Sequence, residues 1–68
     1  MNPARYTDDH RRLVWIVSSD SGLMFYPARS TGRAIERVLY IGAYWSREQA
    51  QAALDKYADL AGWERMAD

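Results

Sequence analysis

The sequence predicts an α+β domain, a three-stranded antiparallel sheet packed on one C-terminal α-helix, and three observations carry that expectation. Runs rich in β-branched and aromatic residues, Leu13–Val17, Leu23–Tyr26 and Val38–Ile41, are separated by polar, glycine-containing turns. The last third instead repeats alanine and leucine at helical spacing. Where the two patterns meet, Ser46 stands three residues before Gln49, the spacing of a capping box that starts a helix.

Taken in order, Met1–Arg12 has Pro3, the paired acids Asp8 and Asp9 and the basic run His10-Arg11-Arg12, but no apolar periodicity. It reads as a flexible arm, residues 1–12, ahead of a single β-β-β-α domain, residues 13–68. Leu13–Val17 is the first strand and Ser18-Ser19-Asp20-Ser21-Gly22 its turn. Leu23–Tyr26 is the second strand, and Pro27, which cannot donate to a ladder, marks a sheet edge or the strand's exit. Arg29–Arg33 forms the tip of a longer hairpin, and the third strand runs through Val38-Leu39-Tyr40-Ile41, with Gly42 at a bulge or close approach. The helix begins at Arg47. Ala50, Ala53, Leu54, Tyr57, Leu60 and Ala61 form its apolar face, Gly62 caps its end, and Trp63 folds back to close the core.

A chain of 68 residues without cysteine has no disulfide to hold it, and a single histidine makes a zinc set implausible, so no metal and no cofactor are expected. Apolar packing must supply the core: 49% of residues are hydrophobic, including three Trp, five Tyr and one Phe. No stretch is long enough and apolar enough to span a bilayer, and the polar start lacks the apolar core of a signal peptide, so the expected location is cytoplasmic. Catalysis is not expected either. His10 lies in the arm beside Asp8 and Asp9, the Ser18–Gly22 turn lacks the glycine spacing and lysine of a phosphate loop, and one helix on a small sheet offers little concavity for a small-molecule substrate.

Formal net charge is zero, which disfavours a domain that binds nucleic acid mainly by neutralising phosphates. The charge is uneven, with six arginines against four acids up to Tyr44 and three basic residues against five acids after it. Eight of the nine basic residues are arginine, whose planar fork suits carboxylates and phosphates, while Asp55, Asp59 and Glu48 line the helix exterior. Each strand is apolar on both sides: Leu13, Trp15 and Val17 oppose Val14 and Ile16, Leu23 and Phe25 oppose Met24 and Tyr26, and Val38 and Tyr40 oppose Leu39 and Ile41. One helix covers only one face. The other is left for the arm and Trp63, for a second copy or for a partner protein.

Ile41–Asp55 resembles the strand-to-helix junction of AP2-like DNA-binding domains and of the related arm-binding domains of phage-type integrases. Gly42, Tyr44, Ser46, Glu48, Ala50, Ala53 and Asp55 fit the aliphatic-Gly-x-aromatic strand end, the cap, the acid and the spaced alanines of those families. The resemblance implies a sheet face that enters the major groove, with Arg29, Arg37 and Trp15 as contacts. The residues themselves point instead to a non-enzymatic protein-interaction module, binding a protein or a second copy through a sheet face and an Arg-bearing hairpin. Tyr26, Arg29, Arg33, Arg37, Tyr40, Tyr44 and Trp45 are its candidate contacts. In size and composition the chain is similar to small phage or mobile-element accessory proteins that inhibit host machinery, the anti-CRISPR proteins among them.

Overall fold

Five short strands, not three, form one antiparallel sheet in the computed structural model, which describes residues 3–66. They are β1 (Tyr6–Thr7), β2 (Leu13–Ser18), β3 (Phe25–Ser30), β4 (Ile35–Arg37) and β5 (Glu64–Arg65), and they lie side by side in the order β4-β3-β2-β1-β5. The helix, α1 (Arg47–Ala61), follows β4 in the chain and packs across β3 and β2, so it carries the chain from one edge of the sheet to the other. The α+β class and the single helix are as expected.

The segment read as an arm contributes a strand instead. Tyr6 pairs with Val14 on one side and with Arg65 on the other, and its buried ring carries a hydroxyl that donates to Asp55 of α1 at 2.7 Å. Met1 and Asn2 of that arm lie outside the described residues. Between β1 and β2 the chain reverses around one carboxylate. Asp8 Oδ1 accepts from the backbone N–H groups of His10 (2.9 Å) and Arg12 (2.8 Å), and Oδ2 accepts from the Arg12 guanidinium at 2.9 Å. These bonds hold the turn, with Arg11 in the left-handed region at φ 60°, and they satisfy an acid that is otherwise buried.

Proline decides where β4 ends. Pro27 lies within β3, opposite Ile16, rather than at an edge or exit. Its carbonyl accepts from Val38 N–H at 2.9 Å, but it has no N–H to return to the Val38 carbonyl, which accepts from Ile41 N–H at 3.4 Å instead. Val38–Ile41, expected as the third strand, is therefore a turn, and the strand that pairs with β3 is Ile35–Arg37. Arg29 belongs to β3, so the hairpin tip shrinks to Thr31–Ala34, closed by Thr31 N–H on the Ala34 carbonyl at 2.9 Å. Tyr44 then returns to the edge of β3 that β4 has left, exchanging both backbone bonds with Phe25 at 2.7 and 2.8 Å.

The core lies between sheet and helix. Tyr6, Val14, Ile16, Val38 and Ile41 meet Ala50, Leu54 and Ala58, three helical positions four apart that form one row facing the sheet. Small side chains on either side of Leu54 let the helix approach closely. Tyr57, Leu60 and Ala61, expected on this face, are exposed: Leu60 is six residues beyond Leu54 and so about 120° off the row. Ser46 Oγ accepts from Gln49 N–H at 3.1 Å as expected of the N-cap, while the Gln49 side chain stays at the surface. At the other end Gly62 adopts φ 74°, and Trp63 N–H bonds back to Ala58 at 2.9 Å, the Schellman arrangement. Trp63 packs against the core and meets the Tyr57 ring at 5.1 Å.

Two titrations test this packing. Burial opposes ionisation of Asp8, but the N–H groups of Arg12 and His10 and the Arg12 charge outweigh it and hold its pKa below the usual carboxylate range. Its contribution to stability is therefore full above about pH 4 and is lost as pH falls through the folded value, a loss that denaturant melts of Asp8→Asn will not show. Asp8→Ala is expected to cost about 2 kcal/mol at neutral pH. Burial, reinforced by the bond to Asp55, pushes the Tyr6 phenol up to about 12. An absorbance titration should show one phenol ionising there and lose that step in Tyr6→Phe. Because the folded value is raised, the Tyr6 contribution to stability declines as pH climbs from about 10 toward it.

Candidate interaction surface

Partners in antiparallel register share a face, so the pairing divides the sheet into two surfaces. Tyr6, Val14, Ile16 and Phe25 face α1, and so does Arg29, the partner of Val14. The opposite, outer face carries Thr7, Leu13, Trp15, Val17, Tyr26, Ala28, Ser30, Ile35, Arg37 and Glu64. Among the described residues no strand or helix packs across it, since α1 and the segment carrying Val38 and Ile41 enter the core from the other side.

A row crosses three strands of the outer face. Trp15 of β2, Ala28 of β3 and Arg37 of β4 lie abreast, and Ala28 is only 1% exposed between its two large neighbours. One strand step away, Tyr26 lies beneath the Arg37 guanidinium, 4.8 Å from ring centroid to Cζ. Ile35, on the same side as Arg37, is 65% exposed, while Leu13, Trp15, Val17 and Tyr26 are half-buried. The result is an apolar surface with one cation at its β4 edge and Glu64 at the opposite edge.

The seven expected contacts do not form one surface. Tyr26 and Arg37 are brought together on the outer face. Arg29 turns to the helix side, where its Nε donates to Glu36 at 3.2 Å, so it cannot join them. Arg33 is exposed at the hairpin tip. Tyr40 lies on the helix side, 5.2 Å from the Tyr57 ring, and Tyr44 is half-buried with its hydroxyl donating to the Ile41 carbonyl at 2.9 Å. Trp45 is 74% exposed beside the N-cap of α1, away from the others. Leu13, Val17, Ala28 and Ile35 complete the outer face but were not among the expected contacts. The alternation of β2 marks Leu13 and Val17, whereas Ile35 needs the true position of β4.

Two other features stand apart from this face. Tyr40, Tyr57 and Trp63 form an aromatic row, and a hollow of about 250 Å³ opens beside it between Tyr44, Ala53 and Lys56. At the N-terminal end of α1, clefts of about 460 and 340 Å³ meet at Arg47 and Gln51. Arg47 spans them, its guanidinium 5.0 Å from the Phe25 ring and 3.4 Å from the Ile16 carbonyl. Among the described residues no three His, Cys, Asp or Glu side chains are grouped to hold a metal ion, and no helix is long and apolar enough to cross a membrane. No family model, curated protein or solved structure matches the chain.

Stability should separate the two faces. Leu54→Ala is expected to cost about 3 kcal/mol, because it opens a cavity among fully buried neighbours. Val17→Thr on the outer face keeps a β-branched residue and should stay within about 0.5 kcal/mol of wild type. Urea denaturation of the two variants measures both.

Proposed function

We propose that the chain is a non-enzymatic protein-interaction module whose contact surface is the outer face of the sheet. The observation that supports this reading is the apolar patch around Trp15, Tyr26 and Ile35 on a face that no strand or helix among the described residues covers. Aromatic and arginine side chains dominate the energetics of protein interfaces, and here Trp15 and Tyr26 lie on the inner strands β2 and β3, with Arg37 beside them on the edge strand β4. The rigid sheet holds them in place, so little order has to be gained on binding.

Binding of DNA through the same face, after the manner of the AP2-like domains, is the second reading, favoured by Trp15 and Arg37 standing in one row. Its charge balance is poor. Arg29 is turned away, and the strand residues on the outer face bring one Arg and one Glu to a polymer of phosphates.

A photo-crosslinking amino acid placed at Tyr26, and separately at Lys56 on the helix, tests the two readings in cell extract. A protein crosslinked from position 26 and not from 56, and lost when Trp15→Lys is added, is the expected result. Equal crosslinking from both positions removes the face from consideration. Crosslinks to nucleic acid alone, with a gel shift that weakens steeply between low and moderate salt, transfer the face to DNA.

A further inference from the structure

Arg37 is the one arginine among the strand residues of the outer face. Arg12 is held by Asp8, Arg29 by Glu36, and Arg47 by a ring and a carbonyl. Arg37 has no carboxylate within ion-pair distance among the described residues, although Glu36 precedes it in the chain. The alternation of β4 explains why: it sends Glu36 to the helix side, where Arg29 takes it, and Arg37 to the outer side. What Arg37 has instead is the Tyr26 ring, which lies beneath the guanidinium and leaves its donors unclaimed by any acid among the described residues.

A guanidinium held beside Tyr26 and Ile35, in one row with Trp15, suits a carboxylate. Covering it with an apolar surface lowers the local dielectric, so a carboxylate that arrives with that surface gains more than it could in water, and an apolar surface without one leaves a charge buried and unpaired. A sheet face, unlike a sheet edge, is covered by a layer, and the layer used on the other side of this sheet is a helix. We propose, resting on the reading of the outer face as a protein-binding surface, that it docks an amphipathic helix of another protein. The apolar row of that helix lies on Trp15, Tyr26 and Ile35, and an aspartate or glutamate beside the row forms a forked ion pair with Arg37.

The probe is a phage-displayed library of random helical peptides, panned against the intact chain. Peptides that lose binding to Trp15→Lys are expected to carry an acid next to an apolar row. Changing that acid to its amide should weaken binding by about tenfold against wild type and hardly at all against Arg37→Gln, with Arg37→Lys intermediate. Circular dichroism checks that the variants fold, and if Arg37→Gln does not, the cycle is completed with Arg37→Lys. If the amide exchange has no effect on wild type, the carboxylate chemistry is wrong while the face remains a protein surface. If no selected peptide maps to the face, both readings fall. Self-association through the face in sedimentation, or salt-sensitive DNA binding that Trp15→Lys abolishes, overturns the proposal in favour of a second copy or of nucleic acid.

Discussion

A hydrogen bond that cannot form organises this molecule. Pro27 accepts from Val38 but has nothing to donate in return, so the β3–β4 ladder stops there and the Val38 carbonyl turns to Ile41. Ile41 thereby joins Val38 in the core on the helix side, and the chain is delivered to Phe25 through Tyr44, two residues before the Ser46 cap. Had the ladder continued, alternation would have kept placing side chains on the outer face, and the helix would have started farther along that edge. The early stop commits the connecting segment to one side of the sheet. The other side stays open.

How the opposite edge is completed follows from the same economy of cover. One 15-residue helix spans β3 and β2 but ends near β1, and the sheet there is built from two-residue strands of mixed polarity. What fixes β1 is not β propensity but anchoring. Tyr6 reaches Asp55 on the helix, Asp8 gathers the N–H groups of the following turn, and Met66 N–H bonds to the Arg5 carbonyl at 2.8 Å. The Tyr6 hydroxyl and the Asp8 carboxylate each restrain strand position, since leaving either unpaired would cost more than the bond itself gains.

These two edges also mark what the sequence could and could not reveal. The helix was legible because its signals are local: Ser46 before Gln49, alanine and leucine recurring at helical spacing through Ala50 and Leu54, and a glycine where a left-handed residue is needed, although Ala58, the third residue of the buried row, was not among the expected face residues. The strand Leu13–Ser18 was legible for the same reason, as was the apolar character of its two faces. Val38–Ile41 was misread because its propensity is that of a strand, whereas its conformation is set by a proline eleven residues earlier. Tyr6–Thr7 was missed because two residues carry no period, and their partners are distant in the chain. Among the candidate contacts, Tyr26 and Arg37 share the outer face, but the side on which Arg29 falls depends on the register of β3, which no local pattern encodes.

Parity in β4 is what gives the open face its character. Glu36 and Arg37 are neighbours in sequence and could in principle neutralise each other, yet a strand sends them to opposite surfaces. On the helix side the acid meets Arg29 and the charges close on themselves. On the outer side the cation is left over aromatic carbon, and Ala28 keeps the space between it and Trp15 low enough to form one continuous surface. Shifting the β3–β4 register by one residue would exchange the two, placing Glu36 among Trp15 and Tyr26 and Arg37 beside Tyr40. The proline that ends the ladder pins that register through its bond to Val38. The charge presented by the open face is thus a consequence of backbone hydrogen bonding at Pro27.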